Sequence, residues 1–151
     1  MNSCEVSLAS TATRTLEDMC FFAVSPLLSD LQRDARTDGA MEVLFHGPKS
    51  GRLVIRLAGG ALTTLASNML GDVYGSPDMQ LDALGEVANV ICGNLLPVIC
   101  GTREVYHISV ARSAVMLEWN EPGLKAAVRL GLQDAGRADL QLYMHPTAGI
   151  A

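Results

Sequence analysis

Four residues of the stretch Asp82-Ala-Leu-Gly-Glu86-Val-Ala-Asn89-Val-Ile-Cys-Gly93 stand at i, i+4, i+7 and i+11. At about 100° per residue they fall within a wedge of roughly 60° on one side of a helix. Leu84, Val87, Ala88, Ile91 and Leu95 fall on the opposite side, within about 100°. One wall of this helix is apolar, and the other carries two acids and an amide in a row. Gly93 leaves the polar wall bare, so that another molecule can approach closely. A carboxylate only accepts hydrogen bonds and pairs with cations, whereas a carboxamide both donates and accepts and carries no charge. The plain alternative is a solvated face: Glu86 an exposed acid, Asn89 a surface amide, and Asp82 a first-turn acid favoured by the helix dipole.

The elements that must hold this helix follow from pattern and punctuation. Asp78 is placed to cap it, and Pro97 is expected to end it near Leu96. Gly71 to Pro77 reads as a linker. Before it, Leu62, Leu65, Ala66 and Met69 share a face, which predicts a helix over Ala61–Leu70 that stops at Gly71. Gly59-Gly60 has no lysine placed as in a phosphate loop and reads as a strand-to-helix corner. Met41–Phe45 and Leu53–Leu57 are β-rich runs around His46-Gly-Pro-Lys-Ser-Gly51, a hairpin signal. Residues 1–8 read as loosely ordered, with a first helix from about Ser10 that ends by Pro26. Asp30 to Gly39 reads as a loop.

After the central helix, Val105–Val110 is a third strand candidate and Val115–Trp119 a fourth. Asn120–Gly123 reads as a turn. Leu124–Leu132 and Ala138–Met144 read as paired strands around Asp134-Ala-Gly136, and the tail after Pro146 as frayed. The sum is α+β: a single domain over residues 1–151 with an ordered core of about 10–145, built as an antiparallel sheet with helices on one face. An internal echo supports two equivalent halves. Thr13…Glu17…Cys20 repeats the spacing of Asp82…Glu86…Asn89, with the acid kept and the amide replaced by cysteine. This predicts two long helices side by side, related by a pseudo-two-fold axis.

Composition narrows the function. Of the 151 residues 49% are hydrophobic and 18% charged, which suits a packed core rather than disorder. The net charge is −5 with no cluster of Lys or Arg, which argues against nucleic acid and against an anionic membrane surface. No secretory signal and no long uncharged apolar span is legible, so a cytoplasmic protein without membrane insertion is expected. Cys4, Cys20, Cys92 and Cys100 form no CxxC pair and have no histidine at ligand spacing, so no metal site is expected. His46, His107 and His145 are scattered along the sequence.

At these residues the chain resembles the CheC/CheX/FliY family of chemotaxis phosphatases, and most nearly its CheX-type members. The family signature is Asp or Ser, three residues, Glu, two residues, Asn, and it stands here as Asp82-x3-Glu86-x2-Asn89. Leu65-Ala-Ser-Asn-Met-Leu-Gly71 and the N-terminal Leu16-Glu-Asp-Met-Cys-Phe21 also fit, the latter as the degenerate first helix of single-site members.

The resemblance implies a CheC-like fold and, as substrate, the phosphorylated aspartate of a CheY-like response regulator. It makes Asn89 the residue that orients the attacking water and Glu86 the partner of the receiver's lysine. Asp82 and Gly93 would serve docking, and Thr13, Glu17 and Cys20 would be a possible degenerate second site. No cofactor is bound by this chain, since the Mg²⁺ of the reaction belongs to the receiver. A homodimer is implied, with hydrophobic strands near the C-terminus available to extend the sheet. Two alternatives stay open at this point. One is a non-catalytic module that docks a receiver or a flagellar-switch component, and the other is a ligand or redox domain built on the cysteines.

Overall fold

The computed structural model describes residues 1–71, 75–114 and 122–146. Helix α1 (Ser3–Asp18) begins well before Ser10, because Asn2 and Glu5 form a reciprocal capping box. The Glu5 N–H donates to the Asn2 side chain at 2.8 Å and the Asn2 N–H to the Glu5 carboxylate at 3.1 Å. That bond and a second one from the Ala127 N–H hold the Glu5 carboxyl below its ordinary range. Leu8, Ala12 and Leu16 make its buried stripe. The helix ends at Asp18, and the chain then turns sharply through Phe21 (φ 60°). The expected loop from Asp30 instead holds a one-turn helix, α2 (Asp30–Arg33), capped by Ser29.

The hairpin is longer than its apolar centres, with β1 spanning Thr37–His46 and β2 Lys49–Ala58. Helix α3 (Ala61–Leu70) has the expected bounds and ends on left-handed Gly71. The central helix, α4 (Pro77–Cys100), is capped by Ser76 rather than Asp78 and runs through Pro97 to Gly101. Pro97 has no N–H for the Gly93 carbonyl, but both residues face solvent, where water can serve that acceptor. Length and composition alone would let α4 cross a bilayer, yet half of that apolar window is buried in the fold.

The third strand candidate, Val105–Val110, shrinks to the two-residue β3 (His107–Ile108), and a further short strand, β4 (Arg112–Ser113), follows beyond it. Strands β5 (Leu124–Gly131) and β6 (Arg137–Pro146) close the sheet. The Val115–Trp119 candidate, the first half of the Asn120–Gly123 turn and the tail after Pro146 lie outside the described residues.

The six-stranded antiparallel sheet runs β3-β1-β2-β6-β5, with β4 also paired to β1. The two long helices lie side by side on one face, α4 over β1 and α1 over β5. Each helix therefore covers the outer strand of the other half's hairpin, the crossed arrangement a pseudo-two-fold axis produces. Met41, Val43, Phe45, Leu53, Ile55, Leu57, Leu140 and Leu142 point into the core between sheet and helices.

The other face carries buried charge. Arg137 donates to Asp139 at 2.9 Å and to the α2 carbonyls of Gln32 and Arg33 at 2.6 and 2.8 Å. Arg137→Met takes the 2.9 Å partner from the buried Asp139, leaving the more exposed Arg129 at 3.6 Å, and leaves two carbonyls without this donor. The expected cost is about 3–5 kcal/mol, read as a lower urea midpoint at unchanged slope.

The free edge of β5 is largely closed. Lys125 O accepts from Asn2, Ala127 N donates to Glu5, and Gly131 exchanges both backbone bonds with Ser25. Strand β6 is internal. Of the C-terminal strands, β5 is thus the one at the sheet edge, and that edge is tied in part by these contacts.

Candidate functional site

Helix α4 places the ridge where its periodicity predicts. Asp82, Glu86 and Gly93 are exposed and Asn89 is half-buried, while Leu84, Val87, Ala88, Ile91 and Leu95 are buried beneath. Neither the Glu86 carboxylate nor the Asn89 amide is hydrogen-bonded or ion-paired to any described residue. Their polar atoms face outward one turn apart. A Cβ built on Gly93 would meet only Ile108 Cδ1, at 3.9 Å, so the helix surface is open there.

The ridge has two flanks. Toward α1 lies a groove of about 680 Å³ whose walls include Ser10, Arg14 and Asp18 from α1 and Val90, Asn94 and Val98 from α4. On the other flank runs the segment that follows α4. It comes so close that a Cβ on Gly85 would stand 2.9 Å from Ala111 Cβ. Gly85, which the ridge pattern passes over, is therefore the residue that lets this segment lie against the helix. The sequence signal was present, a glycine four residues before Asn89, but only the partner strand reveals its purpose.

The second, degenerate triplet is not brought together. Thr13 and Glu17 sit on α1 and line a separate groove toward Val24, Pro26 and Leu130. Cys20 lies beyond the end of the helix, fully buried, with its Sγ 3.9 Å from Met69 Sδ and its carbonyl accepting from Asn68. Its spacing matches Asn89, but the helix that would present it has already stopped.

Cys20 and Cys92 are core thiols that burial pushes up to about 12, whereas Cys4 and Cys100 are half-buried. In native protein at pH 8, a maleimide is expected to label Cys4 and Cys100 and to spare Cys20 and Cys92, as peptide mass mapping would read. Rapid labelling of Cys92 would revive a redox role. Among the described residues, no three His, Cys, Asp or Glu side chains converge to hold a metal ion.

An antiparallel sheet with long helices on one face, the central one displaying an outward acid–amide ridge, defines the CheC-like α+β class. The family model described as "Chemotaxis phosphatase CheX" matches residues 40–111, the span that contains the β1–β2 hairpin, α3, α4 and the segment flanking the ridge. Over that span, just under half of the chain, it is similar to the CheX-type members of the CheC/CheX/FliY chemotaxis phosphatase family.

Solved structures share the fold. The CheX of Vibrio vulnificus is 16% identical, with a TM-score of 0.74 over 95% of this chain and 97% of that one. The CheX of Desulfovibrio desulfuricans is 14% identical, with a TM-score of 0.72 over 95% and 100%. A chain from the CheX–CheY–BeF3–Mg²⁺ complex of Borrelia burgdorferi is 18% identical, with a TM-score of 0.71 over 93% and 96%. No curated protein matches the chain in sequence.

Proposed function

We propose that this protein is a phosphatase for the aspartyl phosphate of a CheY-like receiver domain. One observation carries the reading: exposed Glu86 and half-buried Asn89 share one helix ridge, and neither side chain has a hydrogen-bond or ion-pair partner among the described residues. The likeness to the CheX family model supports the substrate class assigned to that ridge. The Borrelia burgdorferi relative was solved with CheY, beryllofluoride and Mg²⁺, and a receiver is the partner assigned here by analogy.

An acyl phosphate hydrolyses unaided, so the protein need supply only geometry: a water held in line with phosphorus. The Asn89 amide accepts from that water with its oxygen and donates with its nitrogen, without a charge to repel phosphoryl oxygens. Glu86, one turn earlier, pairs with the lysine beside the receiver's phosphoaspartate and fixes the helix over the site. Asp82 contacts the rim, and bare Gly93 lets the receiver backbone come close. Mg²⁺ is assigned to the receiver's own acidic pocket, and the reaction places the protein in the cytoplasm. A homodimer is proposed from the family resemblance, assembled elsewhere than along the tied β5 edge.

Phosphate release at a small molar fraction of this protein tests the reading. Many turnovers per chain are expected. A stable complex without turnover would instead assign a docking module.

A further inference from the structure

The segment beside the ridge contains an extra residue. Phe45 of β1 faces Ile108 and Glu42 faces Arg112, so three steps along β1 oppose four along the returning chain. That mismatch is a β-bulge, a device that re-aims a side chain at a sheet edge. It is clamped at both ends. On one side the Ser109 N–H donates to Leu44 O at 2.8 Å, and the Leu44 N–H donates to Ser109 Oγ at 2.9 Å. On the other, Arg112 Nε donates to the buried Glu42 carboxylate at 2.8 Å. Ile108 and Ala111 both turn toward α4, at Gly93 and Gly85, so the alternation slips between them. Val110 is the residue thrown out, 87% exposed.

Its position follows from two measured contacts. Gly85, Asn89 and Gly93 are spaced i, i+4 and i+8 and span about 12 Å of helix. Ile108 to Ala111 spans about 10 Å of extended chain. With Ala111 at Gly85 and Ile108 at Gly93, Ser109 and Val110 pass alongside Asn89. At about 100° per residue Asn89 is also the ridge member nearest Gly85, hence nearest this segment.

We propose that Val110, expelled by the bulge, is the apolar lip of the receiver-docking surface and a specificity-determining contact for that partner. The inference rests on the receiver-phosphatase reading. A receiver that delivers its phosphoaspartate to Asn89 must cover the adjacent segment. An apolar side chain there borders the docked receiver on the Asn89 side of the ridge and keeps bulk water from that rim. Val90 and Val98 stand on the opposite flank, so the ridge is bordered by apolar groups on both sides.

The test compares Val110→Asp, Val110→Ile and Val105→Asp. Val105 is also well exposed but lies about 16 Å along the segment, near the end of α4. Val110→Asp is expected to raise the KM for phosphorylated receiver about tenfold with kcat within about twofold, the loss of one buried apolar contact. Val110→Ile and Val105→Asp are expected to keep the wild-type KM. A wild-type KM in Val110→Asp overturns the proposal while leaving the phosphatase reading intact. If wild-type protein shows no turnover, that reading fails separately, and titration with beryllofluoride-activated receiver decides: about tenfold weaker binding by Val110→Asp upholds the lip, while equal affinity, or no binding by either protein, overturns it.

Discussion

Asn89→Ala is expected to lower turnover of phosphorylated receiver by about 10²–10³, or about 3–4 kcal/mol, while changing receiver affinity by no more than a few-fold. The magnitude is that of removing one preorganised polar group aimed at the reacting centre. The separation of rate from affinity follows from the side chain's place. The Asn89 side chain makes no hydrogen bond to any described residue, so its truncation is expected to leave the fold intact. Its contact is with a water that is positioned only when the receiver is docked, so kcat falls rather than binding. Multiple-turnover phosphate release, with affinity measured in parallel, reads both quantities. An equal loss of affinity and rate would make Asn89 a docking residue instead.

Glu86→Lys is expected to fail at the preceding step. The substitution removes a charge-assisted pair with the receiver lysine and sets two cations against each other. Disrupting a desolvated interfacial charge pair costs about 2–5 kcal/mol, so binding of activated receiver is expected to weaken by at least about 30-fold. Glu86→Gln keeps the shape and loses only the charge, and a roughly tenfold loss is expected. Both variants are expected to keep wild-type stability within about 0.5 kcal/mol, because Glu86 is exposed and pairs with none of the described residues. Titration of activated receiver against each variant, with a urea denaturation curve as control, checks the prediction. Wild-type affinity in Glu86→Lys would remove Glu86 from the interface.

The contrast between Asn89 and Cys20 explains what the sequence made legible. Both stand seven residues after the first member of a triplet. Spacing becomes a shared face only where the helix continues. On α4 it continues to Cys100, and the ridge was readable because nine of its residues are buried on the other wall. On α1 it stops at Asp18, and the chain turns Cys20 inward against Met69. The early start of α1 was written in Asn2 and Glu5, a cap whose two members are easily passed over beside so polar a start.

Pro97 misled for a physical reason. A proline breaks a helix when the carbonyl it abandons has no other partner, and that of Gly93 lies on the solvent side. The run Val105–Val110 alternates like one strand. The short β3 inside it, the β4 fragment that follows it and the bulge between them depend on where β1 offers partners, which no local pattern encodes. The tied edge of β5 is equally non-local, because Asn2, Glu5 and Ser25 reach it from more than a hundred residues away.

The most direct test of the ridge as a water-positioning device is a single-turnover decay with this protein in excess over phosphorylated receiver, so that docking is saturated and only chemistry is timed. Wild-type protein should shorten the phosphoaspartate lifetime by about 10² or more, while Asn89→Ala, equally saturated, should leave it near the receiver's own value. Wild-type and Asn89→Ala decays that superimpose would contradict the account.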